Sequence, residues 1–200
     1  MKLTSEILER AIEELSRLPG TGRKSAQRMA LHLVRKSQDD VRRLANELIE
    51  LKTKIRHCRR CYTLTDEDYC PICLSEKRAN GQLCIVEEPQ DVMMIEKTNA
   101  FKGRYHVLGG SISPMDNIGP DQLRIKELME RMHSDEGIKE VILALNPDAE
   151  GEATGFYLNR LLEPFEINTT RIAYGVPMGT HLEYIDEATI SRALDNRSRF

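Results

Sequence analysis

Apolar residues recur every three or four positions along the first quarter of the chain, and later they bunch into short unbroken runs. Ile7, Leu8, Ala11, Ile12, Leu15 and Leu18 fall on one side of a helix over 5–18. Pro19-Gly20-Thr21-Gly22 breaks that helix. A second helix is expected from about Arg23 to Lys36, with Ala26, Ala30, Leu33 and Val34 facing inward. Ser37, Asp39 and Asp40 offer caps for a third near 40–55, whose apolar side is Val41, Leu44, Ala45, Leu48 and Ile55.

Beyond Asn80-Gly81, a turn signal, the period of the pattern changes. Leu83-Cys84-Ile85-Val86 and Val141-Ile142-Leu143-Ala144-Leu145 are continuous apolar runs. Tyr105-His106-Val107-Leu108 and Arg171-Ile172-Ala173-Tyr174 are weaker candidates for strands. Helical stretches near 90–97, 121–133 and 150–162 lie between them. Strands without polar alternation, separated by helices, predict a buried parallel sheet. The fold class expected is therefore α+β and multi-module. It comprises a helical region over 1–55, a cysteine module over 56–76, an α/β region over 80–175 and a C-terminal loop and helix over 176–200. No internal repeat or low-complexity segment interrupts this order.

Composition narrows the setting. No apolar run approaches the ~20 residues that span a bilayer, so no membrane partner is expected. MKLTSEILER carries charge within its first ten positions and lacks the apolar stretch of a secretory signal. A reducing cytosol is the expected compartment, where paired cysteines bind metal more often than they form disulfides. Charge is divided unevenly: residues 1–80 carry 17 Lys and Arg against 12 Asp and Glu, and residues 81–200 carry 12 against 20, leaving the net −3. Five basic residues and no acidic one lie between Pro19 and Gln38. That run is either an anion-binding face or a solvated helix surface.

Cys58, Cys61, Cys70 and Cys73 follow the spacing C-x2-C-x8-C-x2-C. Two CxxC pairs this close suit one tetrahedral zinc ion, and four thiolates leave no open position for a substrate, so the role is structural. His57 is read as an exposed neighbour, and Arg56, Arg59 and Arg60 as either phosphate contacts or solvated charges. Cys84, inside LCIV, is expected in the core.

Leu18-Pro19-Gly20-Thr21-Gly22-Arg23-Lys24-Ser25-Ala26 joins the first two helices. Gly20 and Gly22 leave the backbone N–H groups bare at the start of the second helix, where an anion is favoured. Arg23, Lys24 and Arg28 add positive charge, and Lys24 and Arg28, four apart, share one face. The segment resembles a helix-hairpin-helix DNA-binding motif, which implies contacts to phosphate that are blind to sequence and sensitive to salt. The plainer alternative is a tight helix connection. A nucleotide-binding loop is excluded, because no glycine stands immediately before Lys24 and a helix rather than a strand leads in.

Glu87 follows the strand LCIV, and Asn146-Pro147-Asp148-Ala149-Glu150-Gly151-Glu152 follows the strand VILAL. Strand C-termini of a parallel sheet share one crevice, so these carboxylates can converge on Mg²⁺. The arrangement resembles a Toprim domain, with Glu87, Asp148, Glu150 and Gly151 at matching positions but Asn146 where the signature has aspartate. Capping of the following helix is an equally good use for these acids. A Mg²⁺-dependent Toprim nuclease or strand-passing enzyme is the alternative function, and Asn146 counts against it.

Taken in order, LPGTGRKSAQR, the four cysteines, IVEEP, LNPDAEGE and AYGVPMGTHLEY resemble the RecR family of bacterial recombination mediators over nearly the whole chain. The resemblance implies a non-enzymatic DNA-repair protein that assembles into dimers and a ring-shaped tetramer. It implies binding to single- and double-stranded DNA through Gly20, Gly22, Arg23, Lys24 and Arg28. It also implies partnership with RecO and RecF through an acidic face that includes Glu87, Asp148 and Glu150, help in loading RecA, and a cytoplasmic, nucleoid-associated location.

Overall fold

The computed structural model describes residues 5–134 and 137–197. The chain divides into two compact units, Met1–Ile55 and Arg56–Phe200. The first contains helices α1 (Glu6–Ser16), α2 (Arg23–Val34) and α3 (Gln38–Lys54). Ala26 and Ala30 let α2 approach α1, and with Ile12 they form a small buried cluster lined by Leu8 and Leu15. Ser37 caps α3, its hydroxyl accepting from the Asp40 N–H at 3.1 Å.

The expected inner faces of α2 and α3 need correction. Val34 is 72% exposed, and α3 has no buried residue, with Leu44 and Leu48 open to solvent. The helical period holds, but a periodic stripe gives no account of what covers it.

The second unit begins with a two-stranded antiparallel ribbon of β1 (Arg56–His57) and β2 (Leu64–Thr65), followed by the single turn α4 (Pro71–Leu74). Then β3 (Gln82–Val86), α5 (Pro89–Lys97), β4 (Arg104–Val107), α6 (Ile125–His133), β5 (Glu140–Ala144), α7 (Ala149–Leu162), β6 (Asn168–Arg171) and α8 (Glu187–Asp195) complete it. The sheet order is β4-β3-β5-β6, and every pairing is parallel. Both faces are covered, which is why β3 reads as a continuous apolar run. Leu83 and Ile85 pack on one side with Val141, Leu143, Leu128, Leu158 and Leu162. Cys84 and Val86 pack on the other with Val92, Tyr105, Val107 and Ala144. Cys84 is thus a core residue, as its apolar neighbours imply.

The strand expected over 171–174 lies earlier, at Asn168–Arg171. As an edge strand, Asn-Thr-Thr-Arg is held by backbone pairing from Glu140↔Asn168 to Leu143↔Arg171 and is not buried. Its polar residues therefore send no hydrophobic signal. The apolar Ile172 sits just past the strand, bonded through its N–H to Leu143 O at 3.1 Å.

Candidate nucleic-acid interface and metal centre

The four cysteine sulfurs lie within 4.8 Å of one another, the one such gathering of three or more His, Cys, Asp or Glu ligand atoms among the described residues. All four residues are buried. Backbone N–H groups point at the sulfurs: Cys70 N–H donates to Cys58 Sγ at 3.3 Å and Cys73 N–H to Cys70 Sγ at 3.4 Å. Hydrogen bonds from the Cys61 and Cys73 thiols pull the Cys70 thiol well below its ordinary value, while the same bonding and burial push Cys61 up. So crowded a set cannot hold several negative charges unaided. A dication removes the conflict, and four sulfurs with supporting N–H donors suit structural zinc.

The cysteine module is built onto the sheet. Val107 N–H of β4 donates to Cys61 O at 2.8 Å, covering an edge that the sheet itself leaves unpaired. Tyr62 adopts a φ of 64°, which turns its ring edge-on to His106 at 5.5 Å and beneath the Arg124 guanidinium at 5.1 Å. Ile72 packs on the same apolar cluster as Val107. Below, Tyr105 donates through its hydroxyl to Glu96 at 2.6 Å, and Arg78 pairs with the same carboxylate. Burial, followed by the Glu96 bond, pushes the Tyr105 phenol well up.

In the first unit the hairpin tip is bare. Thr21 N–H bonds Leu18 O at 3.0 Å, Gly20 has a φ of 74°, and a Cβ at either Gly20 or Gly22 would touch nothing within 4 Å. Gly22 is the N-cap of α2 and supplies no side chain to its first N–H groups, so those donors are left without a side-chain cap. Lys24 and Arg28 are exposed on the adjoining turns, and neither has an ion pair among the described residues. Arg23 differs: its guanidinium pairs with Glu9 at 2.5 Å, so α1 already uses part of its charge.

At the C-terminal ends of β3 and β5, Glu87 is buried, at 5% exposure. Its Oε1 accepts from the Asn146 N–H at 2.8 Å and its Oε2 from the Asn146 side-chain amide at 2.6 Å. Burial raises the Glu87 carboxyl above the usual range, and the two Asn146 bonds oppose that rise. Asp148 caps α7, accepting from Gly151 N–H at 2.8 Å. Glu152 reaches Arg171 at 3.4 Å. The structure thus brings Glu87 to Asn146 and turns Asp148 to its own helix. Glu87, Asp148 and Glu150 do not converge as the cysteines do.

Four family models match the chain in succession: the RecR helix-hairpin-helix over 8–52, the RecR four-cysteine zinc finger domain over 55–75, the Toprim domain over 81–173 and the RecR C-terminal region over 175–198. Proteins named recombination protein RecR are similar over almost their full length. That of Chlorobium limicola is 50% identical over 203 residues, covering 99% of each chain. That of Nocardioides sp. is 52% identical over 191 residues, 96% of each, and that of Streptomyces coelicolor 50% over 191 residues, 96% of each.

The chain belongs to the RecR family.

Two further residues shape the site, one of them, His106, without notice in the residue pattern. His106 is fully buried behind the cysteine module, a position that only the packing of Tyr62 reveals. Gly151 is required by a close approach: a Cβ there would lie 2.1 Å from Asn146 O and 3.0 Å from Glu87 Oε1. Its place within the AEGE run was a signal, but the collision is a property of the fold. No helix among the described residues is long and apolar enough to cross a membrane.

Proposed function

We propose that the protein acts in recombinational DNA repair as a non-catalytic mediator that grips DNA through its N-terminal hairpin. The observation that carries this reading is the open space around Gly20 and Gly22, with no side-chain cap on the first N–H groups of α2 and with Lys24 and Arg28 exposed and free of ion pairs among the described residues. Such a surface suits a phosphate backbone of either single- or double-stranded DNA and reads no bases. Gly20, Gly22, Lys24 and Arg28 make the contact, and Arg23 contributes less because Glu9 shares it. The regions 1–55, 56–76, 80–175 and 176–200 then divide into DNA grip, zinc-held spacer, Toprim-like platform and tail.

RecO and RecF are the proposed protein partners, met by the acidic platform that carries Glu87, Asp148 and Glu150, in support of RecA loading within the bacterial cytoplasm. The exposed apolar face of α3, including Leu44, Leu48 and Leu51, supports assembly into dimers and a tetrameric ring. A ring would multiply weak phosphate contacts. The Asn146 amide against Glu87 supports the non-catalytic reading over a metal-dependent nuclease.

The test is Lys24→Ala with Arg28→Ala, assayed by gel shift and salt titration. Binding to duplex DNA at low salt should be lost or severely weakened, with the salt slope falling by roughly 0.9 per phosphate contact removed. Circular dichroism and molar mass should stay unchanged. Unaltered low-salt affinity would sink the proposal.

A further inference from the structure

We infer that Asn146 is the residue that decides whether this acidic crevice needs a divalent cation: its amide replaces the cation and latches the end of β5 to Glu87 at the end of β3. The inference concerns the second unit alone and stands whether or not the hairpin binds DNA.

The geometry carries it. Both oxygens of one buried carboxylate are taken up by a single residue, one by the Asn146 backbone N–H at 2.8 Å and the other by its Nδ2 at 2.6 Å. The backbone bond is available to any residue at 146 except proline, so the side-chain bond is the variable part. A carboxylate in that place would set two negative oxygens at hydrogen-bond distance, one on the buried Glu87 and the other on the exposed loop that follows β5. Double ionisation of such a pair is disfavoured by like charge and by the burial of Glu87, and a shared proton or a cation relieves it. The neutral amide donates instead, and the charge of Glu87 is met by donors belonging to the chain.

The surroundings hold the latch shut. The Gly109 and Gly110 N–H groups bind Glu87 O at 2.8 and 3.0 Å, so the Glu87 backbone cannot swing away. Gly151 packs against Asn146 O with no room for a side chain. Asp148, the nearest further acid in the loop, is committed to the Gly151 N–H. The amide at 146 is the only member of this set whose replacement by an isostere, aspartate, exchanges donors for charge without changing shape.

Five zinc-loaded proteins, the natural chain, Asn146→Asp, Asn146→Asp with Glu87→Gln, Asn146→Ala and Glu87→Gln, test the inference by thermal melting with and without Mn²⁺, and by counting bound Mn²⁺ from its paramagnetic resonance. The natural chain should melt at the same temperature with and without Mn²⁺ and hold none at this site. Asn146→Asp should melt several degrees lower at neutral pH, recover with Mn²⁺ and hold about one ion per chain. That recovery should disappear when Glu87→Gln is added. Asn146→Ala should melt lower and show no recovery, since it has neither donor nor charge. Mn²⁺ bound by the natural chain and lost in Glu87→Gln would overturn the inference. So would an Asn146→Ala protein as stable as the natural one, or a folded Asn146→Asp protein indifferent to Mn²⁺. If Asn146→Asp folds only when Mn²⁺ is present, the inference is upheld; if it folds under neither condition, while Asn146→Ala folds, it is overturned.

Discussion

Acidification should loosen the seam between the cysteine module and the sheet through His106. This ring is fully buried on β4. Its Nε2 lies 2.7 Å from Arg124 O, so Nε2–H donates, and Nδ1 is left buried without a partner. Burial drives its pKa from the usual 6.5 to about 4, and the Arg131 charge adds to the effect against the favourable bond to Arg124 O. The unfolded chain therefore takes up a proton at a pH where the folded chain refuses it. Stability from this residue is complete above pH 6.5 and drains away as the pH falls toward about 4. At about 1.4 kcal/mol for each pH step between those values, the loss is about 3 kcal/mol. The perturbation is His106→Phe, which keeps an aromatic ring against Tyr62 and leaves Arg124 O still bonded to Leu128 N–H at 3.2 Å. Urea unfolding, followed by far-UV circular dichroism because the chain has no Trp, would be measured from pH 7 to pH 4. Zinc loss in acid is common to both proteins and cancels in the difference between them. The natural chain should lose about 3 kcal/mol more than the variant over that range. Parallel pH profiles would refute the assignment of the depressed pKa to His106.

Three further outcomes follow from the same contacts. Stripping zinc with a chelator at neutral pH should destabilise the second unit by several kcal/mol, measured as a lower melting temperature that zinc restores; loss of DNA binding should trail the loss of folding. Gly151→Ala should cost roughly 1–3 kcal/mol or more in urea titrations, because its methyl would enter Asn146 O. Asp148→Ala should cost ~1 kcal/mol as a lost N-cap whereas Asp148→Asn stays within a few tenths, a contrast that a metal ligand would not show.

Much of this was legible from residue order. The CxxC pairs announce a metal centre because four thiols at that spacing have few other stable uses. Continuous apolar runs at LCIV and VILAL announce a two-sided parallel sheet. The PGTG turn announces a bare hairpin, since two glycines with basic neighbours serve no core. Other parts left no mark. The Asn-Thr-Thr-Arg edge strand is polar because its stability comes from the ladder with β5. The acids after β5 could be caps or ligands equally well until Asp148 was seen bonded to Gly151 N–H.

The pattern alone therefore determined the helices and the buried strands, the cysteine set that suits zinc and the family, because all three depend on residue type at short spacing. Tertiary structure decided what lies opposite what. It placed the cysteine module on β4 through Cys61 O and Tyr62, entombed His106 behind it, and set Asn146 against Glu87 across 59 positions of sequence. Those pairings are between residues brought together by sheet register and helix packing, and their energies come from desolvation, which depends on burial in the folded chain and has no signature in the sequence.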